Sequence, residues 1–321
     1  MDSGFMNSAA VIMRVPIPSR VIWSYAVGGA VFAIGLATIF LRGYWQNARG
    51  IDRLILLGPL FYVAPLAAFG TEHFTVTAAI ASIVPPFVPW HLFWAYFVGA
   101  CFIAAALSIA TRIQARLSAS LLALTFFLFV MLMDVPALAQ GQHDRFTLAL
   151  TFRELTFSSG ALAFAVSQSE HWQKRGTHIL AIIARYVVAI AVLFYSFEQF
   201  LHPDYVPGVP LDRVTPDYIH GRLIWAYIAA VVYAVGGILL LIGKKTRAAA
   251  TWIGLSVLFV ELVVYVPIGI VEIASLDNGL NYVFDTLMFC GAVFMLAGAM
   301  PREKVKQERS DGEYPAKVTA N

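Results

Sequence analysis

Cysteine is nearly absent from this chain: two in 321 residues, Cys101 and Cys290, each isolated in an apolar run. That excludes a disulfide scaffold. No CxxC, haem-attachment or iron–sulfur spacing is present, so the chain shows no covalent haem or Fe–S motif. Charge is scarce as well. Asp, Glu, Lys and Arg make up 13% of the residues, against about 25% in soluble domains, which argues against a cytosolic enzyme or a disordered chain. The 22 basic and 19 acidic residues leave a net +3, too little to point to nucleic acid. What fills the chain is apolar, at 60% hydrophobic residues. This is the composition of an integral membrane protein whose first partner is the lipid bilayer.

A bilayer core needs about 20 apolar residues per helix. Nine runs meet that need, at 21–41, 54–72, 91–111, 117–137, 146–168, 183–201, 222–242, 248–270 and 280–300. They are continuous rather than alternating, which predicts helices and not a β-barrel, because backbone groups in hydrocarbon must pair internally. The first run is too long for the core of a signal peptide, and Arg42 follows it directly. The fold class expected is therefore all-α: a polytopic membrane protein of about nine transmembrane helices.

Lysine and arginine set the orientation. Sixteen of the 22 fall in the connections after runs 1, 3, 5 and 7, at the start of run 6 and in the C-terminal tail. By the positive-inside rule the C-terminus is cytoplasmic and, with an odd number of spans, the N-terminus lies outside, as a multi-pass protein of the cell inner membrane. The tail 301–321, basic and then polar, reads as a cytoplasmic anchor to anionic lipid.

Runs 2–5 resemble runs 6–9. Trp94-Ala95-Tyr96 recurs as Trp225-Ala226-Tyr227, Arg116 falls on Arg247, Pro136 on Pro267, Glu154 on Asp285 and Gly160-Ala161 on Gly291-Ala292, all at one offset of 131. Upstream the offset is 126, where Glu72-His73-Phe74 meets Glu198-Gln199-Phe200. The chain is thus expected to hold an N-terminal region with one helix, 1–50, a four-helix repeat over 51–169, a second over 178–300, and the tail. Four is even, so the repeats are parallel and related about the membrane normal. The connections around 85–89 and 203–216 hold seven of the fifteen prolines and read as ordered, extended covers.

Charge within hydrocarbon marks the candidate site. Insertion scales put the cost at about 2.5–3.5 kcal/mol for an aspartate or arginine at mid-membrane, so such a group needs a partner, a wet cavity or a proton. Glu154, Glu198, Glu261 and Asp285 all fall within or at the ends of apolar runs. Glu154 shares one helical face with Thr147, Thr151 and Ser158, and Asn281 with Asp285 makes a shorter version. Arg153 is one residue, about 100° of helix, from Glu154 and is expected to pair with another helix or to reach outward. His73, His91, His202 and His220 lie near span ends without metal-ligand spacing, so no metal site is expected.

Phe69-Gly70-Thr71-Glu72-His73-Phe74, after Gly58-Pro59-Leu60-Phe61, resembles the first-helix signature of the DoxX-like membrane superfamily. The likeness covers most of 51–169 and, more weakly, 180–300. It departs at Gln199, where the first repeat has His73, and at Tyr265, where the first has Asp134. The resemblance implies a membrane subunit that binds a quinone-like or lipid-like molecule near the outer leaflet and serves a redox protein partner. Glu72, His73 and Glu154 would then do the proton chemistry, and His91, Glu198 and Asp285 would hold the cofactor, quinone being the candidate. A proton-coupled transporter with its pathway between parallel repeats, or an assembly factor without chemistry, would suit the same residues.

Overall fold

The computed structural model describes residues 16–168, 177–208 and 213–302. The basic residues at 174–175 and in the tail after Arg302, together with Pro210 and Asp212, lie outside them. Among the described residues the chain is helical, with one isolated β-bridge, between Tyr205 and Val214, and no strand. Nine long helices appear among the described residues: α1 (Ser19–Leu41), α2 (Ile51–Thr75), α3 (His91–Thr111), α4 (Ala115–Ala139), α5 (Arg145–Ser167), α6 (Thr177–Leu201), α7 (Arg222–Leu241), α8 (Thr246–Val271) and α9 (Leu276–Ala299). All but α5 are long and apolar enough to cross a membrane. The chain is therefore an all-α, multi-pass membrane protein. α5 has the length, 23 residues, but carries Arg145, Arg153, Glu154 and several hydroxyls, and it is buried among the others rather than facing lipid. A short helix, Thr77–Ile83, precedes the first proline-rich connection, where an extended cover alone is expected from the sequence.

Helix geometry repeats at the spacing seen in the sequence. α4 widens into a π-helical turn at Val130–Asp134, and α8 does so at Glu261–Tyr265. The cause is local: Pro136 and Pro267 sit two residues beyond these turns and clash with carbonyls four residues back, inside them. The left-handed residues entering and leaving the connections also pair up, Trp90 with Gly221, Arg112 with Gly243 and Gln114 with Lys245. Each of these pairs is 131 positions apart.

Packing links the two halves through their end helices. α2 lies along α9, α6 lies along α5, and α5 and α9 cross each other in the centre. α3, α4, α7 and α8 form the flanks, and α1 packs on α2 and α3. Small residues permit the central approach: Gly160 abuts Ala292, and Gly291 sits against the Tyr62 nitrogen and the Gly58 carbonyl. Close backbone contact of this kind drives helix association where no hydrophobic effect operates between helices. The first helix of residues 51–169, α2, thus rests on α9, and its last, α5, rests on α6.

Asp144 opens α5 as an N-cap, accepting from the Thr147 backbone N–H at 3.0 Å and the Thr147 hydroxyl at 2.8 Å. Those hydrogen bonds, the backbone one foremost, hold its carboxyl below the usual carboxylate range. A depressed folded-state value gives stability that is present above the unfolded value of about 4 and is lost as pH falls through the depressed one. Asn caps nearly as well without titrating. Melting curves between about pH 6 and pH 3 should therefore fall less steeply for Asp144→Asn than for the natural chain, and parallel curves would remove this role.

Candidate functional site

One guanidinium organises the polar interior. Arg153, on α5, reaches α9 and donates to the Asp285 carboxylate at 2.6 Å, while its other terminal nitrogen stands 3.6 Å from Glu154 on its own helix. The Arg153, Glu154 and Asp285 side chains are 17%, 16% and 10% exposed, so little solvent screens them. Asp134 comes in from the π turn of α4, beside Thr151 and within the electrostatic reach of Arg153 and Glu154. Glu72, buried near the end of α2, lies within electrostatic reach of Asp285 and beside Asn281. Tyr195 of α6 is fully buried, interacts electrostatically with Arg153 and donates its hydroxyl to the Ala149 carbonyl at 2.6 Å.

The cluster thus sets three carboxylates, Asp134, Glu154 and Asp285, around one cation, with a fourth, Glu72, facing Asp285. Glu72 Oε1, Asp134 Oδ2 and Glu154 Oε2 have no hydrogen-bond partner in the protein, nor do Arg153 Nε and Asn281 Oδ1. A buried set with three more negative charges than positive ones is costly in a medium of low dielectric, and binding protons lowers that cost. Among the described residues no three or more His, Cys, Asp or Glu side chains are placed to hold a metal ion together. Proton exchange is the chemistry this arrangement can perform.

Three of the six residues singled out in the sequence, Glu72, Glu154 and Asp285, meet here. The other three stand elsewhere. His73 is turned one residue further around α2: its Nδ1 lies 2.8 Å from the Phe69 carbonyl and its ring meets Phe102 edge-on, in the space left by Gly99. His91 is the first residue of α3, partly buried, directly after left-handed Trp90. Glu198 is clamped by Arg145 at 2.8 Å, with His202 Nε2 at 3.9 Å, and so braces α5 against α6. Gln199, at the position equivalent to His73, donates to the Tyr205 carbonyl at 3.1 Å and holds the connection after α6. The buried tip of that connection, Val206–Gly208, receives a hydrogen bond from Tyr265 to the Pro207 carbonyl.

The hydroxyl stripe on α5 is largely consumed by structure. Thr151 donates back to the Thr147 carbonyl, and Ser158 donates to the Ala123 carbonyl of α4 at 2.7 Å. Sequence reasoning missed Asp134 as a member of the site. The available signal was the proline two residues on, which marks a disturbed turn without saying where Asp134 goes. Glu261 belongs to the second π turn and is also buried, with Oε2 lacking a partner, but its electrostatic neighbours are Tyr25 and Cys290 rather than Arg153.

The fold and site together define a multi-pass helical membrane protein with an acidic cluster at the junction of its central helices. Compared with family models, curated proteins and solved structures, the chain gives no match.

Proposed function

We propose that this chain is a proton-exchanging membrane protein of the transporter class, built from parallel four-helix units at 51–169 and 178–300, with its pathway between them. The carrying observation is the single cation shared by carboxylates from both units. Arg153 has two alternative anions: Asp285 across the junction, and Glu154 on its own helix. With the proton on Glu154, Arg153 stays on Asp285 and ties α5 to α9. With the proton on Asp285, Arg153 turns to Glu154 and the tie is released. Protonation thereby selects between a closed and an open junction, which is the coupling a proton-driven carrier needs. The skew of Lys and Arg supports an inner-membrane orientation with the basic face in the cytoplasm and the N-terminus outside.

A second reading rests on the rings beside the cluster. Arg153 lies 5.8 Å over Phe157, which packs on Phe126 at 5.5 Å. An aromatic wall next to proton-exchanging acids would also suit a quinone-binding subunit of a redox complex, the role that the likeness to DoxX-like proteins implies.

The test uses the full chain in lipid vesicles. Infrared titration should show a carboxylic-acid C=O band that Glu154→Gln diminishes, while the variant inserts and melts nearly as the natural chain does. A trapped pH dye should show pH-driven solute movement abolished by the same change. A lipid extract containing stoichiometric quinone, with no such movement, selects the second reading. A band and a function both indifferent to Glu154→Gln would remove both.

A further inference from the structure

The opposite end of the bundle holds a second charged site, of the other sign. Here the ends of α2, α3, α5, α8 and α9 surround a cavity of about 360 Å³, within the size range of ligand sites. Its polar lining includes Arg112, Arg247, Arg302, Asp52, Tyr44 and Gln168. Arg247 and Arg302 both donate to Asp52, at 2.6 and 2.9 Å, so one carboxylate answers two guanidiniums. The third, Arg112, lies 4.5 Å over the Tyr44 ring and has no ion-pair partner among the described residues. Arg42 adds a further positive charge within its electrostatic reach. The cavity is therefore preset for an anion.

Arg247 also lines a second space. On its other side a groove of about 480 Å³ runs along α8, walled by Ile51, Ala248, Thr251, Trp252 and Leu255. Trp252 is 65% exposed at its edge, the position of an interfacial tryptophan. A cationic cavity and an apolar groove that meet at one arginine match the two ends of an amphiphile. A free anion would use the first and leave the second.

We propose that this face binds an anionic phospholipid, its phosphate against Arg112, Arg247 and Arg302 and one acyl chain in the groove beside Trp252. Basic pockets between membrane helices take lipid headgroups by this combination of charge and enclosure. The occupant is identified by charge complementarity and by Arg247, which lines both spaces. The proposal is independent of the Arg153 cluster, because it concerns other residues and needs no proton.

Melting of the purified full chain in neutral detergent provides the test, with phosphatidylglycerol, phosphatidylcholine of the same chains, and inorganic phosphate titrated in turn. Phosphatidylglycerol should raise the melting temperature saturably, and the other two should have little effect. Arg112→Gln and Arg302→Gln should each weaken the apparent affinity about fivefold. Arg302 is largely exposed and Arg112 makes no ion pair among the described residues, so neither change leaves a buried charge without a partner. Ala248→Phe, which fills the groove, should also weaken the phosphatidylglycerol response. An equal response to phosphatidylcholine, a full response to inorganic phosphate, or an affinity unchanged in both arginine variants would overturn the proposal.

Discussion

Replacing Arg153 by Met should destabilise the protein by about 3–5 kcal/mol, the cost of breaking a largely buried ion pair by removing one partner. The lost attraction is the smaller part of the effect. Asp285 would keep its place against α5 with its 2.6 Å donor gone, and Glu154 and Asp134 would lose the charge that offsets them. Protonation offers partial escape, so the loss should be larger at alkaline pH than at acid pH. The double change Arg153→Met with Asp285→Asn should recover much of the stability, since it leaves no orphaned charge across the junction. Thermal unfolding in detergent micelles measures all three. A single variant that melts like the natural chain at both pH values would show that the guanidinium does not hold the junction.

An effect of similar size is expected from one methyl group. In Gly291→Ala the new carbon would meet the Tyr62 nitrogen and the Gly58 carbonyl, which are backbone atoms of α2 and cannot turn aside as a side chain can. α9 would have to move away from α2, losing packing along the most extensive contact in the bundle. Overpacking usually costs about 1–3 kcal/mol, and a backbone wall puts this site at or above the top of that range. Gly29 on α1 supplies the control, because nothing lies within 4 Å of a carbon added there. Gly29→Ala should be neutral or stabilise by up to about 1 kcal/mol through helix propensity. Equal melting of the two variants would contradict the close approach of α2 and α9.

The long helices were legible because their signal is local. Each apolar run roughly matches the thickness of a bilayer, and in the structure most of the helices extend beyond the runs by a few residues. Asp52 and Arg53 at the start of α2 and Glu72 near its end lie where polar groups are tolerated. Glu72, Glu154 and Asp285 were legible for the same reason, as charges set in apolar sequence. The partner of Arg153 was not. Its identity depends on α5 crossing α9, a choice made by Gly160 and Gly291 and their neighbours, residues that look alike in any membrane helix. His73 illustrates the complementary difficulty. It adjoins Glu72 in sequence, yet a single step of about 100° around the helix sends it to Phe102 on α3 while Glu72 faces α9. The matched prolines at 136 and 267 were visible as a repeat, but the π turns they cause, and the way the first brings Asp134 to the cluster, appear only in three dimensions.

The exchange of end helices sets a timetable for biogenesis. Gly58 and Gly291 meet in the finished protein but are 233 positions apart in the chain. At about 5–20 residues per second of synthesis, α2 waits roughly 10–50 s for its main neighbour. During that wait its small-residue face and Glu72 have α1, α3, lipid and the insertion machinery as company. α9 follows the other eight long helices in the chain and fills the centre, so a chain stopped short of it would lack its keystone, and Arg153 would have no Asp285 to meet. Quality control acting on such truncated chains would find a guanidinium without its partner across the junction and an open glycine seam in the membrane, signals that vanish once α9 is in place.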